Sequence, residues 1–320
     1  MAKLPNPDER DPTLDAADRA LEAESLKELP RGYIGMSSVG EACSRMLYYR
    51  FRWAWRETFD AETLKLFDDG HRTEDLVIAR LKLASQLTVV DRDPATGEQI
   101  RHRDLDGHFS GGQDGEILGL LQAPKTRHIL EVKATREKKF NELKAIIRKV
   151  GQKAALRVWN PVYYAQAVLY MYYRGLTRHY TVVSTPGGRD WLGLRTEADT
   201  AFALQLRAKA QRIIKASEPP IRIGSSSDCE DCRYCKFTGI CHDDVPPLRN
   251  CRTCLHSTPV EQGGWHCARW DKPLTVDDQR EGCPVHLYIP GLVAGEVLDA
   301  GDSWVRYRMR DGSEFIDSEA

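Results

Sequence analysis

The sequence predicts an α/β protein, a sheet of strands flanked by helices, followed by a four-cysteine module and a β-hairpin. Three observations lead there. Helix-period and strand-period segments alternate between residues 61 and 217, as in a sheet covered by helices. Eight of the nine cysteines crowd between 229 and 283, and the interval 44–228 has none. Residues 295–316 alternate like paired strands, with Asp311-Gly312 as a tight turn.

Composition narrows the class. The 320 residues carry 46 Lys plus Arg against 47 Asp plus Glu, a formal charge of −1. The global basic excess of a histone-like or arm-type nucleic-acid binder is excluded. Hydrophobic residues at 41% against 29% charged allow a sizeable core and exclude wholesale disorder. No apolar run approaches the roughly 18–20 residues of a membrane span, and the N-terminus has no apolar signal region. The expectation is a cytoplasmic chain with no membrane partner, in which cysteines ligate metal before they form disulfides.

In chain order, residues 1–32 are charged and Pro-containing and read as a mobile lead-in with a short helix over 14–28. Residues 33–56 are aromatic and weakly helical after Ser37 or Ser38, either of which can cap. Residues 61–86 carry apolar positions at helical period, and Gly70 predicts a break or a close approach. Leu87–Val90 reads as a strand, 105–120 as a Gly-rich segment with an apolar end. His128–Thr135 is a strand with Leu130 and Val132 on one side and Ile129, Glu131 and Lys133 on the other. Residues 136–157 are helical and basic. Residues 160–174 form a helix capped by Asn160, with Pro161 in its first turn and Gly175 at its end. Arg178–Ser184 is a strand and 196–217 a long helix.

The cysteines divide by spacing. Cys251, Cys254, Cys267 and Cys283 suit a closed four-thiolate Zn²⁺ site, with His256, His266 and His286 as spare ligands. Cys229, Cys232, Cys235 and Cys241 form a tighter knot. Either that knot is a zinc site of its own, or Cys43 joins three of its members around an iron–sulfur cluster. Spacing leaves both open.

Acidic chemistry concentrates on the strand 128–135. Glu131 and Lys133 point the same way, an awkward placement on a central strand unless they share a site. Pairing across the Pro124 turn brings Asp114, set among glycines, near Glu131, and two converging carboxylates suit Mg²⁺ or Mn²⁺. Glu74, with His71 one turn earlier, adds a third acid from a helix. Alone, each has a bland reading: a surface ion pair, an Asp-Gly turn, a solvated helix charge.

In order, Gly70-x3-Glu74, Gly111-x2-Asp114-Gly115, Glu131-x-Lys133 and Gln166-x3-Tyr170 resemble the four successive motifs of RecB-like nucleases in the PD-(D/E)XK superfamily. Cys43 ahead of them and Cys232-x2-Cys235-x5-Cys241 behind resemble its iron–sulfur variant, which includes the AddB nuclease domain, the CRISPR adaptation nuclease and phage exonucleases. The resemblance covers roughly 33–245. It implies a restriction-endonuclease-like core, a central mixed sheet flanked by helices. It implies a 4Fe–4S cluster on Cys43, Cys232, Cys235 and Cys241, which we expect to be a structural staple, with Cys229 a bystander. It implies a metal held by Asp114 and Glu131 with the Val132 carbonyl and Glu74 or His71. Lys133 then positions water or steadies charge, and Gln166 and Tyr170 flank the site. Gln113 stands where the superfamily name has proline, and Glu74 where many relatives carry histidine. The zinc module at 246–290 and the hairpin at 291–320 lie outside the resemblance.

DNA needs local positive charge, and residues 133–157 offer nine basic side chains against Glu137 and Glu142. Arg136, Lys138, Lys139, Lys144, Arg148 and Lys149 are the expected phosphate contacts, against the ordinary reading of a solvated helix face. Tyr48, Tyr49, Phe51, Trp53 and Trp55 offer stacking surfaces for single strands or core packing. The expected activity is a Mg²⁺- or Mn²⁺-dependent DNA exonuclease acting on ends or single strands in recombination or repair, of phage or mobile-element type. The alternatives are an endonuclease or end-trimmer of the CRISPR-adaptation kind, and a non-catalytic DNA-binding scaffold with two metal modules. No phosphate-loop motif is present, so a separate recombinase, annealing protein or helicase is the expected partner.

Overall fold

The computed structural model describes residues 10–318; residues 1–9 of the expected lead-in lie outside them. In chain order the elements begin with helix α1 (Pro12–Ser25), strand β1 (Ile34–Gly35), α2 (Ser44–Phe51) and α3 (Ala61–Lys82). Strands β2 (Thr88–Val90), β3 (Arg101–Asp104), β4 (Phe109–Gly112), β5 (Gly115–Leu118) and β6 (His128–Ala134) follow. Helices α4 (Glu137–Val150), α5 (Gln152–Trp159) and α6 (Pro161–Arg174) carry the chain to β7 (Arg178–Ser184), β8 (Trp191–Glu197) and α7 (Thr200–Lys215). After the short α8 (Thr238–His242) come β9 (Ser257–Pro259), β10 (Trp265–Cys267), β11 (Lys272–Leu274) and α9 (Val276–Glu281). Strands β12 (Gly295–Gly301), β13 (Trp304–Met309) and β14 (Glu314–Ser318) end the fold.

The central sheet has five strands in the order β2-β5-β6-β7-β8. It is mixed: β6 and β7 run parallel and the other pairs antiparallel. A parallel pair needs a crossover, and α4, α5 and α6 supply it. Alternation along β6 divides the sheet's two faces. Leu130 and Val132 pack with Val77 and Ile78 of α3, while Ile129 joins the larger core with Phe140, Leu143, Leu156 and Val168 from the crossover helices. The expected α/β architecture, a mixed sheet with helices on both faces, is the one observed.

Local differences have local causes. Ser37 and Ser38 start no helix, because Ile34 and Gly35 pair in parallel with Phe109 and Ser110 and the chain then turns. Helix α2 begins seven residues after Ser37, with the Cys43 side chain accepting from the Met46 amide. Gly70 neither breaks α3 nor marks a close approach, since among the described residues no atom beyond its own helix backbone lies within 4 Å of the place its Cβ would take; nothing in the structure explains it. The basic helix expected over 136–157 is two helices, parted at Gly151 with φ 77°. The lead-in is helical over Pro12–Ser25 and docks on α3: Asp18 pairs with Lys65, and Glu22 accepts from the Ala61 amide. Strands β3 and β8 went unread in the sequence. The final hairpin is a three-stranded meander, with Asp311-Gly312 between β13 and β14.

The cysteine-rich C-terminal segment is knitted into the main core. Trp265, Cys267, Leu274, Ile289 and Leu292 share one apolar cluster with Tyr48, Phe51 and Phe109. Two buried arginines cross the junction. Arg52 donates to the carbonyls of Arg252, Ser257 and Ala216. Arg252 donates to those of Gly32 and Phe51 and stacks 3.8 Å from the Trp53 ring centroid. Buried guanidiniums are stable only when hydrogen-bonded in this way. Tyr48, Tyr49, Phe51 and Trp53 are therefore core residues rather than stacking surfaces.

Candidate active site at the fork of β5 and β6

Register brings the acids together. Strands β5 and β6 pair antiparallel with Gly115 opposite Leu130, which places Asp114 just beyond the last pair, where the strands diverge beside Glu131. The Asp114 Oδ2 accepts from the Val132 amide at 2.7 Å, fixing the carboxylate across the fork. Glu131 and Lys133 project from β6 toward α6, and Lys133 Nζ donates to Glu131 Oε1 at 2.5 Å.

Helix α6 supports this arrangement because its ends are well defined. The Asn160 side chain accepts from the Val162 and Tyr163 amides, Pro161 occupies the first turn, and Gly175 closes the helix in the left-handed region. Gln166 and Tyr170, one turn apart, then face the fork. Gln166 Nε2 donates to Glu131 Oε1 at 2.6 Å, and Tyr170 Oη donates to the Gly112 carbonyl at 2.8 Å. Gly111 lies under that ring, and a Cβ there would stand 2.8 Å from Tyr170 Cε1. Gln113, in the proline position, is buried and bridges His102 and the Gly115 carbonyl.

From the other side α3 brings Glu74 close to Asp114, and His71 lies at the cleft wall one turn away. The three acids repel one another. Burial first, then the Asp114 charge, pushes Glu131 up to about 8 and Glu74 up to about 7. Burial also raises Asp114, against the pull of Lys133. Burial works against the Lys133 ammonium, but the Glu131 and Asp114 carboxylates outweigh it and keep the lysine charged.

Three carboxyls around one ammonium call for another cation, and the donor set suits a hard divalent ion. Glu131 Oε2 is buried with no hydrogen-bond partner among the described residues. No group of three or more His, Cys, Asp or Glu among the described residues stands gathered as a finished ion cage. Asp114 Oδ2 and Glu131 Oε1 are instead taken up by the Val132 amide, Lys133 and Gln166.

The acids open into a cleft of about 480 Å³, whose walls carry Arg31, Arg92 and Arg101 with Tyr33 and Gln99. None of Arg136, Lys138, Lys139, Lys144, Arg148 or Lys149 lines it. Arg136 pairs with Glu62, Lys139 with Glu142, and Lys144 lies over the Phe140 ring. The basic run follows the Glu-x-Lys strand in sequence, but α4 leads it away from the fork. Sequence reading missed the three cleft arginines because they come from separate segments. The alternation of Arg101-His102-Arg103-Asp104 was the one available sign.

Eight of the thiols border one of two small cavities. Cys43, Cys232, Cys235 and Cys241 line one cavity of about 80 Å³, and Cys229 stands beside Cys232, whose thiol it pushes up to about 12. Cys251, Cys254, Cys267 and Cys283 line another, together with His256 and His286. All nine thiols are free. Burial, then the nearby Cys283, Cys254 and Cys267, pushes Cys251 up to about 12. A shared positive ion would relieve that strain.

No protein-family model and no curated protein matches the chain. Among solved structures, the alkaline exonuclease LHK-Exo of Laribacter hongkongensis, in complex with dAMP, is 18% identical with a TM-score of 0.40. That likeness covers 61% of this chain and 90% of that one. A phage-related exonuclease from Haemophilus somnus 129PT is 12% identical with a TM-score of 0.38, covering 60% of this chain and 96% of that one. Among the described residues, no helix is long and apolar enough to cross a membrane.

Proposed function

We propose that this protein is a Mg²⁺- or Mn²⁺-dependent deoxyribonuclease that hydrolyses phosphodiester bonds at DNA ends, in recombination or repair of the phage or mobile-element type. One observation carries the reading: Asp114 and Glu131 are buried at a strand fork beside Lys133, with Glu131 Oε2 unpartnered among the described residues, inside a cleft walled by arginines.

Asp114 and Glu131, with the Val132 carbonyl and Glu74 or His71, would hold the ion. Once bound, it supplies Lewis-acid polarisation of the phosphate and a lowered pKa for the attacking water. The other groups have separate tasks. Lys133, kept charged by its two acids, stabilises negative charge as it builds on the phosphate oxygens and orients the water. Gln166 fixes the Glu131 rotamer, and Tyr170 pins the Gly112 carbonyl and thereby the Asp114 strand. Arg31, Arg92 and Arg101 hold flanking phosphates in place of the α4 residues expected from sequence.

We assign a 4Fe–4S cluster to Cys43, Cys232, Cys235 and Cys241 and Zn²⁺ to Cys251, Cys254, Cys267 and Cys283, both structural. The two cavities, each shared by four thiols, support this grouping. Anaerobically purified protein should contain about four irons and one zinc per chain; a colourless protein with zinc and no iron would refute it.

The activity is tested with end-labelled linear and closed circular DNA in Mn²⁺. Shortening of the linear form from its ends, abolished by EDTA, is expected. Cutting of the closed circle would overturn the exonuclease reading and favour an endonuclease.

A further inference from the structure

Beyond the cleft, the second sheet carries a groove that continues away from the acids. The sheet is β1-β4-β3, with β3 at its edge. Along β3 the side chains alternate. His102 and Asp104 turn inward, His102 to Gln113 and Asp104 to Tyr173 and Arg207. Arg101 and Arg103 are exposed, so they share the outer face, roughly 6.6–6.8 Å apart along the strand. Arg101 reaches Tyr33 Oη and lines both the acid cleft and a second cavity of about 820 Å³. Arg103 pairs with Ser110 through its backbone and lines only the second, and no side-chain hydrogen bond or ion pair to its guanidinium is found among the described residues.

The far wall of this groove comes from the C-terminal segment. Its turn Glu261–Gly263 is pressed against the turn before β4 so closely that a Cβ on Gly107 would stand 2.7 Å from the Gly263 amide nitrogen. His108 Nε2 bonds the Val260 carbonyl at 2.7 Å, and Arg252 bonds the Gly32 carbonyl beside Tyr33. The wall is thus built into the fold from both ends. Glu261 on this wall and Asp106 on the turn it presses against line the groove there, and their charges disfavour a phosphate at that end.

The geometry points to a second binding subsite: Arg101 and Arg103 with Tyr33 form a short track for the sugar–phosphate backbone of a DNA strand running from the acid cleft toward the cysteine module. The ligand class is a polynucleotide of several residues. Two guanidiniums on one face engage successive phosphates, and Tyr33 offers a ring to a sugar or base. The acidic wall makes the strand leave the groove beyond Arg103. This inference rests on the nuclease reading, and its test reads binding apart from cleavage.

Anisotropy of fluorescein-labelled single-stranded DNA of 4 and 20 nucleotides, in EDTA, is measured for the wild type, Arg103→Ala, Arg103→Glu and the double variant Lys138→Ala/Lys149→Ala. Arg103→Ala is expected to weaken 20-mer binding about 5- to 10-fold and to reduce the salt slope by about one. Arg103→Glu should weaken it further, the 4-mer less than the 20-mer, and Lys138→Ala/Lys149→Ala should bind as the wild type. Melting temperatures show that each variant is folded. Unchanged 20-mer binding by both Arg103 variants, with cleavage intact in the wild type, overturns the track and leaves the nuclease reading. Loss concentrated in the Lys138→Ala/Lys149→Ala variant overturns the track in favour of α4. A wild type that neither binds nor cleaves DNA overturns both.

Discussion

At the scale of single residues, the site is a problem of unbalanced charge. Glu74 meets Asp114 half-buried, and the one ammonium nearby is already shared between Asp114 and Glu131. Glu74→Gln keeps a hydrogen-bonding group while removing the repulsion. In EDTA it should raise stability by about 1 kcal/mol, read as a higher urea midpoint, while activity in Mn²⁺ falls. A lower midpoint would mean that the acids are not in conflict. Lys133→Met should do the opposite: it strands two buried carboxylates, at a cost of about 3 kcal/mol. The Glu131-x-Lys133 pair was legible because strand alternation puts both on one face. Arg31, Arg92 and Arg101 were not, since each gains its place from a separate segment, and only the alternation around Arg101 hinted at a shared face.

At the scale of elements, legibility follows how local the cause is. Asn160, Pro161 and Gly175 announce both ends of α6 within a few residues, so that helix could be read directly. Replacing Asn160 with Ala should cost about 1 kcal/mol and loosen the Gln166 bond to Glu131, lowering activity more than stability. Strand β1, by contrast, exists only by pairing with a strand some 75 residues away, and the Ser37 and Ser38 signals yielded to it. Strand β3 is held by Asp104, which Arg207 and Tyr173 bind. Burial would raise the Asp104 pKa, but those bonds and the Leu105 amide outweigh it and hold the carboxyl below its ordinary range. Its contribution is therefore complete above about pH 4, the unfolded value, and fades as pH falls through the lowered folded one. The stability gap between wild type and Asp104→Asn, read in urea at pH 7, 5 and 3, should be about 1–2 kcal/mol at neutrality and shrink at pH 3. A gap that persists at pH 3 would place its origin elsewhere.

At the scale of the whole molecule, the cysteine module is the feature that spacing alone misrepresented. Counting thiols marks where it begins, but not that Trp265, Leu274 and Ile289 complete the core around Phe51, or that Arg52 and Arg252 cross between the two. A chain cut after residue 245 should therefore lose cooperative unfolding, rather than survive as a free nuclease domain; a sharp two-state melt from that fragment would contradict this. The alternation of helix and strand periods made the α/β class legible, whereas the mixed sheet was expected only from the resemblance of the four motifs to RecB-like nucleases. The route of the basic helix was not, because the direction in which α4 leaves β6 depends on packing against the sheet. All of these parts converge on the fork at Asp114 and Glu131. The most direct test is single-turnover cleavage of end-labelled linear DNA in Mn²⁺ by wild type and Asp114→Ala, each repeated in EDTA. We predict metal-dependent cleavage by the wild type and a loss on the order of 10³-fold or more in the variant. Equal cleavage by both proteins, insensitive to EDTA, would contradict the assignment.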